Sequence, residues 1–438
     1  MTSRTAVIDA VEKLNYRVTI GDVAAQSGLD LNTAQREVLA IASETGGNIQ
    51  VAESGEIAYK FAQNFRQILV SRSFWLQVKE SLKGIWKWVF LGIRFSFGIL
   101  LIVSIAIVVL GIIAATIALS QSRSDNDRDD RRSDRRSDRG GGGGFIFLGG
   151  WGNPFGNPFI MFDRDYYEPQ RLRERDPDDM NFFESVFSFL FGDGDPNANL
   201  EERRWREIAT MIRNNNGVVI AEQIAPYLDE TSNIENDEYF VIPVLAKFNG
   251  FPEVSETGTL AYKFPELQKV ASERKSKSKG AYLQEKLWKF SQAPQGKITL
   301  AICLGIFYLV AALFLNSLLA NPKLVGVTLT GIWGLILGFV KVAQPLLLGY
   351  AVLFLSTPLV RYFVLQYLNG GISDRNKKRA SRADQLKNPS STLSEKLDFA
   401  RTFAMEQEAI DQNNLAYTTE QDLADQEYAK MLKEKKGL

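Results

Sequence analysis

The sequence predicts an α+β membrane protein in which two small helix-plus-hairpin modules are tied to about four apolar segments, and three observations predict it. Residues 53–61 read E-S-G-E-I-A-Y-K-F and residues 256–264 read E-T-G-T-L-A-Y-K-F. An ending that keeps Gly, Tyr, Lys and Phe in register marks a retained turn followed by an aromatic strand. Each copy is followed by apolar sequence of bilayer grade. Across the 438 residues, the hydrophobic positions are gathered into blocks rather than spread evenly, as expected of folded modules alternating with spans.

The elements follow in order. Residues 5–14 have the apolar spacing of a short helix, and Val18, Thr19 and Ile20 read as a brief strand before Asp22 opens a second helix that Gly28 closes. Asp30 or Asn32 caps a third helix reaching Ala42, with Ala34, Val38, Leu39 and Ile41 near one face. Strands at 48–51 and 56–61, joined by a turn at Ser54 and Gly55, form a hairpin. Three helices followed by a hairpin is the winged-helix plan, so 1–62 is expected to be a winged-helix-like module.

A second winged-helix-like module is expected at 181–265. The segment N-F-F-E-S-V-F-S-F-L-F at 181–191 reads as an amphipathic helix entering it. A helix over 201–212, the apolar Val218, Val219 and Ile220, a helix over 222–228, an acidic insertion, a run over 238–248 and a hairpin at 253–264 follow. Pairing Val18 with Val218 and Ala58 with Ala261 leaves about three inserted residues between the copies.

Between and after the modules lie an amphipathic linker at 63–88, an apolar segment at 89–119 interrupted by Arg94, and a linker at 120–180. That linker is first Arg, Asp and Ser and then Gly with aromatics. Its charged part cannot bury apolar surface and is expected to be disordered, while Trp151, Phe155 and Phe159 suit a lipid interface or a protein partner. A basic linker at 266–297 precedes apolar sequence at 298–368. There, 298–319 forms a second span, and 324–368 would be about 67 Å long as one helix. It is therefore expected to fold back near Lys341 to Pro345, giving four spans in all. A polar helical tail occupies 369–438, with Thr392 and Glu395 as a capping box.

Composition excludes several function classes. The chain has no histidine, 51 basic and 51 acidic residues, and a single cysteine. The usual general base and the commonest neutral metal ligand are absent, and one thiol cannot build a Cys/His zinc site or a thiolate cluster. No cofactor, metal or catalytic residue is expected, and Cys303 reads as a small apolar packing residue. Asp193, Asp195, Asn197 and Asn199 resemble the opening of a calcium loop. Ala198 and Arg204 stand where that loop needs glycine and glutamate, so a helix-capping turn is the reading.

Nucleic acid is not an expected partner. The third helix of the first module offers Arg36 with Glu37 and Glu44 opposing it, and the matching run 239–245 is apolar, whereas a duplex requires cations facing phosphates. Phe240, Val241 and Leu245 are instead candidates for protein contact. Lys275, Lys277, Lys279, Lys286, Lys289 and Lys297 precede a span and are candidates for lipid headgroups. Arg94, Lys341 and Arg361 are candidate intramembrane charges, read first as span-end residues that reach toward headgroups. One span followed by three would put the modules on opposite faces unless a segment is re-entrant.

The stretch E-S-V-F-S-F-L-F-G-D-G-D-P-N-A-N-L-E-E-R-R-W at 184–205, with the A-Y-K-F endings, resembles a family shared by cyanobacteria and plant chloroplasts. Its plant members are placed in the chloroplast envelope or other plastid membranes and carry an iron–sulfur cluster biosynthesis label. One cysteine and no histidine give that label no support in these residues. The N-terminus does not read as a secretory signal or transit peptide, which fits a cyanobacterial plasma or thylakoid membrane. The expected role is a non-enzymatic integral membrane scaffold or assembly adaptor, with lipid and an unidentified protein as partners. A small-solute or ion transporter and a membrane-tethered transcription regulator are the alternatives.

Overall fold

A computed structural model describes residues 3–72, 74–124, 180–229, 238–269, 271, 280–324, 331–404 and 415–436. In chain order the elements are α1 (Ser3–Lys13), β1 (Arg17–Val18), α2 (Ile20–Ser27), α3 (Leu31–Thr45), β2 (Asn48–Ala52), β3 (Ile57–Lys60), α4 (Phe65–Arg72), α5 (Phe74–Ser124) and α6 (Phe182–Phe191). Next come α7 (Leu200–Asn214), β4 (Val218–Val219), α8 (Ala221–Ile224), α9 (Ile242–Phe248), β5 (Phe251–Val254), β6 (Leu260–Lys263) and α10 (Pro265–Gln268). The chain closes with α11 (Gln295–Leu319), α12 (Ile332–Lys387), α13 (Ser391–Thr402), β7 (Leu415–Thr418) and α14 (Leu423–Lys436). It divides into two compact units, one of Met1–Leu82, Asp195–Leu287 and Asn369–Leu438, the other of Lys83–Gly194 and Trp288–Leu368.

Local chemistry starts and stops the elements of the first unit. Thr19 Oγ1 accepts from the Asp22 amide and Asp22 Oδ2 accepts from the Thr19 amide, both at 3.0 Å, so a capping box opens α2. Gly28, at φ 77°, ends it in the left-handed region. Asp30 accepts from the Thr33 amide at 2.8 Å to open α3, whose buried Leu31, Ala34, Val38, Ile41 and Ala42 form the expected inward stripe. Both sheets are antiparallel, one in the order β1-β3-β2-β7 and the other β4-β6-β5. Val18 pairs with Tyr59, and Val219 pairs with Tyr262. The Phe61 amide donates to the Tyr16 carbonyl, as the Phe264 amide does to Gly217, each at 2.8 Å. The position matching Val18 is therefore Val219, one residue beyond the Val218 expected from sequence. Pairing, which alternates faces every residue, sets that register.

The two modules share one interior. Val7, Val11, Val23 and Ile41 of the first belong to the same buried cluster as Ile208, Ile212, Val244 and Phe264 of the second, and fully burying each such side chain contributes about 1.5–3 kcal/mol. At the seam, a Cβ on Gly21 would fall 2.0 Å from the Glu266 carbonyl oxygen, so only glycine allows α2 and α10 to approach this closely. Asp22, nearly fully buried, accepts from Arg213 Nη1 at 2.9 Å and from the Ala271 amide at 2.9 Å. Modules that share a core lie on the same side of any membrane, which removes the arrangement that faces them toward different compartments.

The tail is docked in this unit as well. Leu393, Leu397, Phe399 and Phe403, on and just beyond α13, pack with Val218, Ile220 and Ala261, and Lys396 bridges Glu222 at 2.7 Å and Glu238 at 3.4 Å. The cap of α13 is Ser390, whose Oγ accepts from the Leu393 amide at 3.3 Å, rather than Thr392. Serine at this position has the extended backbone that a cap requires.

In the second unit, three helices among the described residues are long and apolar enough to cross a membrane: Val89–Ser120 within α5, then α11, then α12. The expected fold-back near Lys341 to Pro345 does not occur, because α12 is one helix of 56 residues with Pro345 and Pro358 inside it. Neighbouring helices and local adjustment accommodate proline in such helices. The apolar α6 belongs to this unit, not to the second module. Its ring face meets α5 through Phe187 with Phe90 and Phe97, Phe183 with Phe95, and Phe191 with Phe97. The helices approach through small residues, with Gly111 against Val340 and Leu315, and Gly305 against Phe354. Tyr308 donates to the Leu347 carbonyl at 2.6 Å and Gln344 Nε2 to that of Ala312 at 2.9 Å, so these two donors inside the bundle meet backbone partners.

Candidate interaction site

The first module's hairpin presents an edge built from a backbone turn upward. Asn15 and Tyr16 are both left-handed, at φ 57° and 64°, and this turn aims β1 across the end of β3. An open cavity of about 290 Å³ with a mixed polar and apolar lining lies at the hairpin base, with Tyr16, Arg17, Gln50, Lys60 and Phe61 among its walls. Arg17 Nε donates to Gln50 Oε1 at 2.8 Å, which turns the Gln50 amide nitrogen toward Glu420 Oε2 at 3.4 Å. Lys60 Nζ meets the other oxygen of Glu420 at 2.7 Å.

Glu420 arrives on the C-terminal tail. Strand β7 adds to the outer edge of β2, pairing Thr418 with Gln50, Tyr417 with Val51 and Leu415 with Ala52, with a register shift between Val51 and Ala52. The Thr419 amide donates to the Ile49 carbonyl at 3.0 Å, and the Ile49 amide donates to Thr419 Oγ1 at 2.8 Å. The edge is therefore read by backbone hydrogen bonds followed by one carboxylate.

A second polar assembly fastens the soluble end of α12. Arg379, 1% exposed, donates to the Leu283 carbonyl at 3.0 Å, meets Glu285 at 2.8 Å and is ion-paired with Asp229. Arg375 grips Glu285 through two hydrogen bonds at 2.8 and 2.7 Å, a charge-assisted fork. Asn376 exchanges hydrogen bonds with the Glu285 backbone at 2.9 and 2.8 Å, and Arg382 reaches the Ala225 and Leu228 carbonyls. The hydrogen bond from Arg375, aided by the charge of Arg379, holds the Glu285 carboxyl below its ordinary range against the effect of burial. Burial acts to raise the carboxyl of Asp229, and Arg379 and Arg204 outweigh it, so it too is lowered.

The sequence-predicted residues divide sharply. Val241 is fully buried, and Phe240 and Leu245 pack partly against the shared core. Val241 is therefore core, and the outward residues of that run include Tyr239, 73% exposed, and Ile242, 53% exposed. Trp151, Phe155, Phe159, Lys275, Lys277 and Lys279 lie outside the described residues. Lys286 and Lys289 are exposed, while Lys297 donates to the Met180 carbonyl.

Of the charges expected within the apolar segments, Arg94 meets Asp193 at 3.1 Å and lies over the rings of Phe90 and Phe187. Arg361 lies over Phe290 and donates to the last carbonyls of α6, at Ser188 and Phe189, where a helix end is negative. Lys341 is on the outside of the bundle and reaches the Leu324 carbonyl at 3.5 Å. Cys303 faces outward from α11 rather than packing inside, because the bundle seam falls on Ala301, Gly305 and Tyr308. The Asp193 carboxylate is taken by Arg94, Ser188 and the Gln292 amide, and Asp195 by the Asn197 amide at 2.8 Å, as in a turn. Among the described residues, no group of three or more His, Cys, Asp or Glu is placed to hold a metal ion.

Sequence reasoning missed the pairing of Lys60 with Glu420 and of Arg379 with Asp229 and Glu285. One signal was present for the first: Leu415, Ala416, Tyr417 and Thr418 echo Leu260, Ala261, Tyr262 and Lys263.

The chain is 37% identical, over 97% of its own length and 80% of the relative's, to an Arabidopsis thaliana protein described as uncharacterized and chloroplastic. No family model matches the chain, and no solved structure matches it.

Proposed function

The chain belongs to the family of that chloroplastic Arabidopsis protein, and we propose that it is an integral membrane adaptor of a cyanobacterial or plastid membrane, using two winged-helix-like modules to hold a protein partner. The observation that carries this reading is the chemistry of the two faces that a DNA-reading version of the fold would turn to a groove. The outward face of α3 consists of Asn32, Gln35, Arg36, Leu39 and Ser43. The matching face in the second module consists of Tyr239, Ile242, Pro243 and Ala246. Such surfaces offer Arg36 but not the row of cations that a run of phosphates requires, and they suit an aromatic-centred protein contact. The outward position of Lys341 and the carbonyl partners of Arg361 agree with an anchoring bundle.

Affinity isolation of the full chain from a mild detergent extract tests the reading. A stoichiometric protein partner is expected, retained by the native chain and lost by Tyr239→Asp with Ile242→Asp. Recovery of the chain alone, while other membrane complexes survive the same extraction, overturns it. Solute flux through vesicles containing only this chain would reassign it to transport.

A further inference from the structure

We propose that the outer edge of β2 is a strand-accepting site for an extended protein segment with a carboxylate after its strand, and that residues 415–420 of this chain are its resident, displaceable ligand. This names the chemistry of a partner and rests on the adaptor reading above.

Strand addition takes most of its affinity from main-chain hydrogen bonds, which any extended segment can supply. The tail holds β2 in this generic way. β7 is four residues long, its apolar anchor is Leu415 against Ala52, Ala58 and Ala271, and Tyr417 is exposed. The following α14 leaves Leu423, Tyr428 and Met431 exposed. By contrast, α13 is fastened by a cluster of apolar side chains and by Lys396. Such a contrast marks the strand, not the helix, as the part that opens at low cost.

Selectivity comes from the end of the strand. Lys60 and Gln50 grip both oxygens of Glu420, so a segment lacking that carboxylate leaves an unpaired lysine. Two other edges, those of β5 and β7, are closed. In β5, Pro252 pairs with Tyr262 where Ile49 pairs with Tyr59, so it removes the amide that in Ile49 points outward to Thr419. The outer edge of β7 is blunted by Gln426, which accepts from the Thr418 amide at 2.9 Å and donates to its carbonyl at 2.6 Å. The β2 edge differs from both in having a strand laid against it through paired backbone groups.

The test is a charge exchange on the full chain. A tethered tail competes at an effective concentration in the millimolar range, so it must first be loosened. Glu420→Lys sets the tail against Lys60, and Lys60→Glu sets it against Glu420. Each variant is titrated with labelled peptides of residues 415–430, either native or with Glu420→Lys. The Glu420→Lys chain is expected to prefer the native peptide, and the Lys60→Glu chain the altered one, each by roughly fivefold. The unaltered chain should bind both at least about tenfold more weakly than a loosened chain binds its matched peptide. Equal preference in the two chains, or no binding to either while both keep the native unfolding midpoint, overturns the proposal.

Hydrogen exchange on the unaltered chain is a second reading. The Thr419 amide is expected to exchange at least about a hundredfold faster than that of Tyr59, and equal protection overturns it. Tail exchange between differently tagged native chains would assign the edge to a second copy and likewise overturn the partner reading. These measurements address the first hairpin, while the isolation experiment reads the Tyr239 and Ile242 face, so the two failures are distinguishable.

Discussion

Replacing Arg379 by methionine removes the cation at the centre of the assembly that fastens α12. Four acceptors lose a donor: the Leu283 carbonyl, Asn376 Oδ1, Asp229 and the almost buried Glu285. Breaking a buried ion pair from one side costs about 3–5 kcal/mol because the remaining charge is left desolvated, and orphaning a buried carbonyl costs about 1–3 kcal/mol. Glu285 keeps Arg375 at 2.7 Å and Asp229 keeps Arg204, which places the loss near the low end, about 3 kcal/mol. For a unit of this size that corresponds to a fall of about 6–12 °C in the unfolding midpoint. Thermal unfolding of the purified full chain in detergent measures it. Adding Glu285→Leu to Arg379→Met removes the stranded carboxylate and should recover part of the loss. A shift under about 2 °C for the single variant, or a double variant no more stable than the single, would refute the argument.

Gly21→Ala should destabilise the soluble unit by about 1–3 kcal/mol, since the added methyl must displace the Glu266 carbonyl; an unchanged denaturant midpoint would remove the seam from consideration. Asp229 and Glu285 both titrate below their ordinary values in the folded chain. Their contribution is therefore fully present above the unfolded carboxylate range and is lost as pH falls below about 4. Arg379→Met should flatten that acid limb in a pH series of unfolding midpoints. Pro252→Ile restores an outward amide on β5 and should increase self-association, seen as larger species in light scattering.

The parts of the chain governed by neighbours in sequence were legible. The stop at Gly28, the stripe along α3 and the turn at Gly55 follow from residue types within four or five positions of one another, whereas Thr19 and Ile20, expected in a strand, cap and open α2, and α3 runs on past Ala42 to Thr45. Long apolar runs marked the spans. The reading of 324–368 as two segments failed because proline and lysine signal a break in water, whereas helix neighbours in an apolar bundle absorb proline and a lysine on the outside reaches a carbonyl. In the expected interaction run, Val241 is as apolar as a docking surface and is in fact core, while Phe240 and Leu245 pack against that core from its edge.

Composition alone removed histidine chemistry and any intrachain disulfide, and the paired A-Y-K-F endings alone announced two related hairpins. Local preference and hydrophobic period act over a few residues, and to that range the sequence was sufficient. Tertiary structure decided that the modules bury one common core, that α6 joins the spans, and which distant charges meet. Arg379 with Asp229 and Lys60 with Glu420 are 150 and 360 positions apart, and a charged side chain carries no mark of its partner. Desolvation on packing selects among the available opposites, and packing is a property of the folded whole.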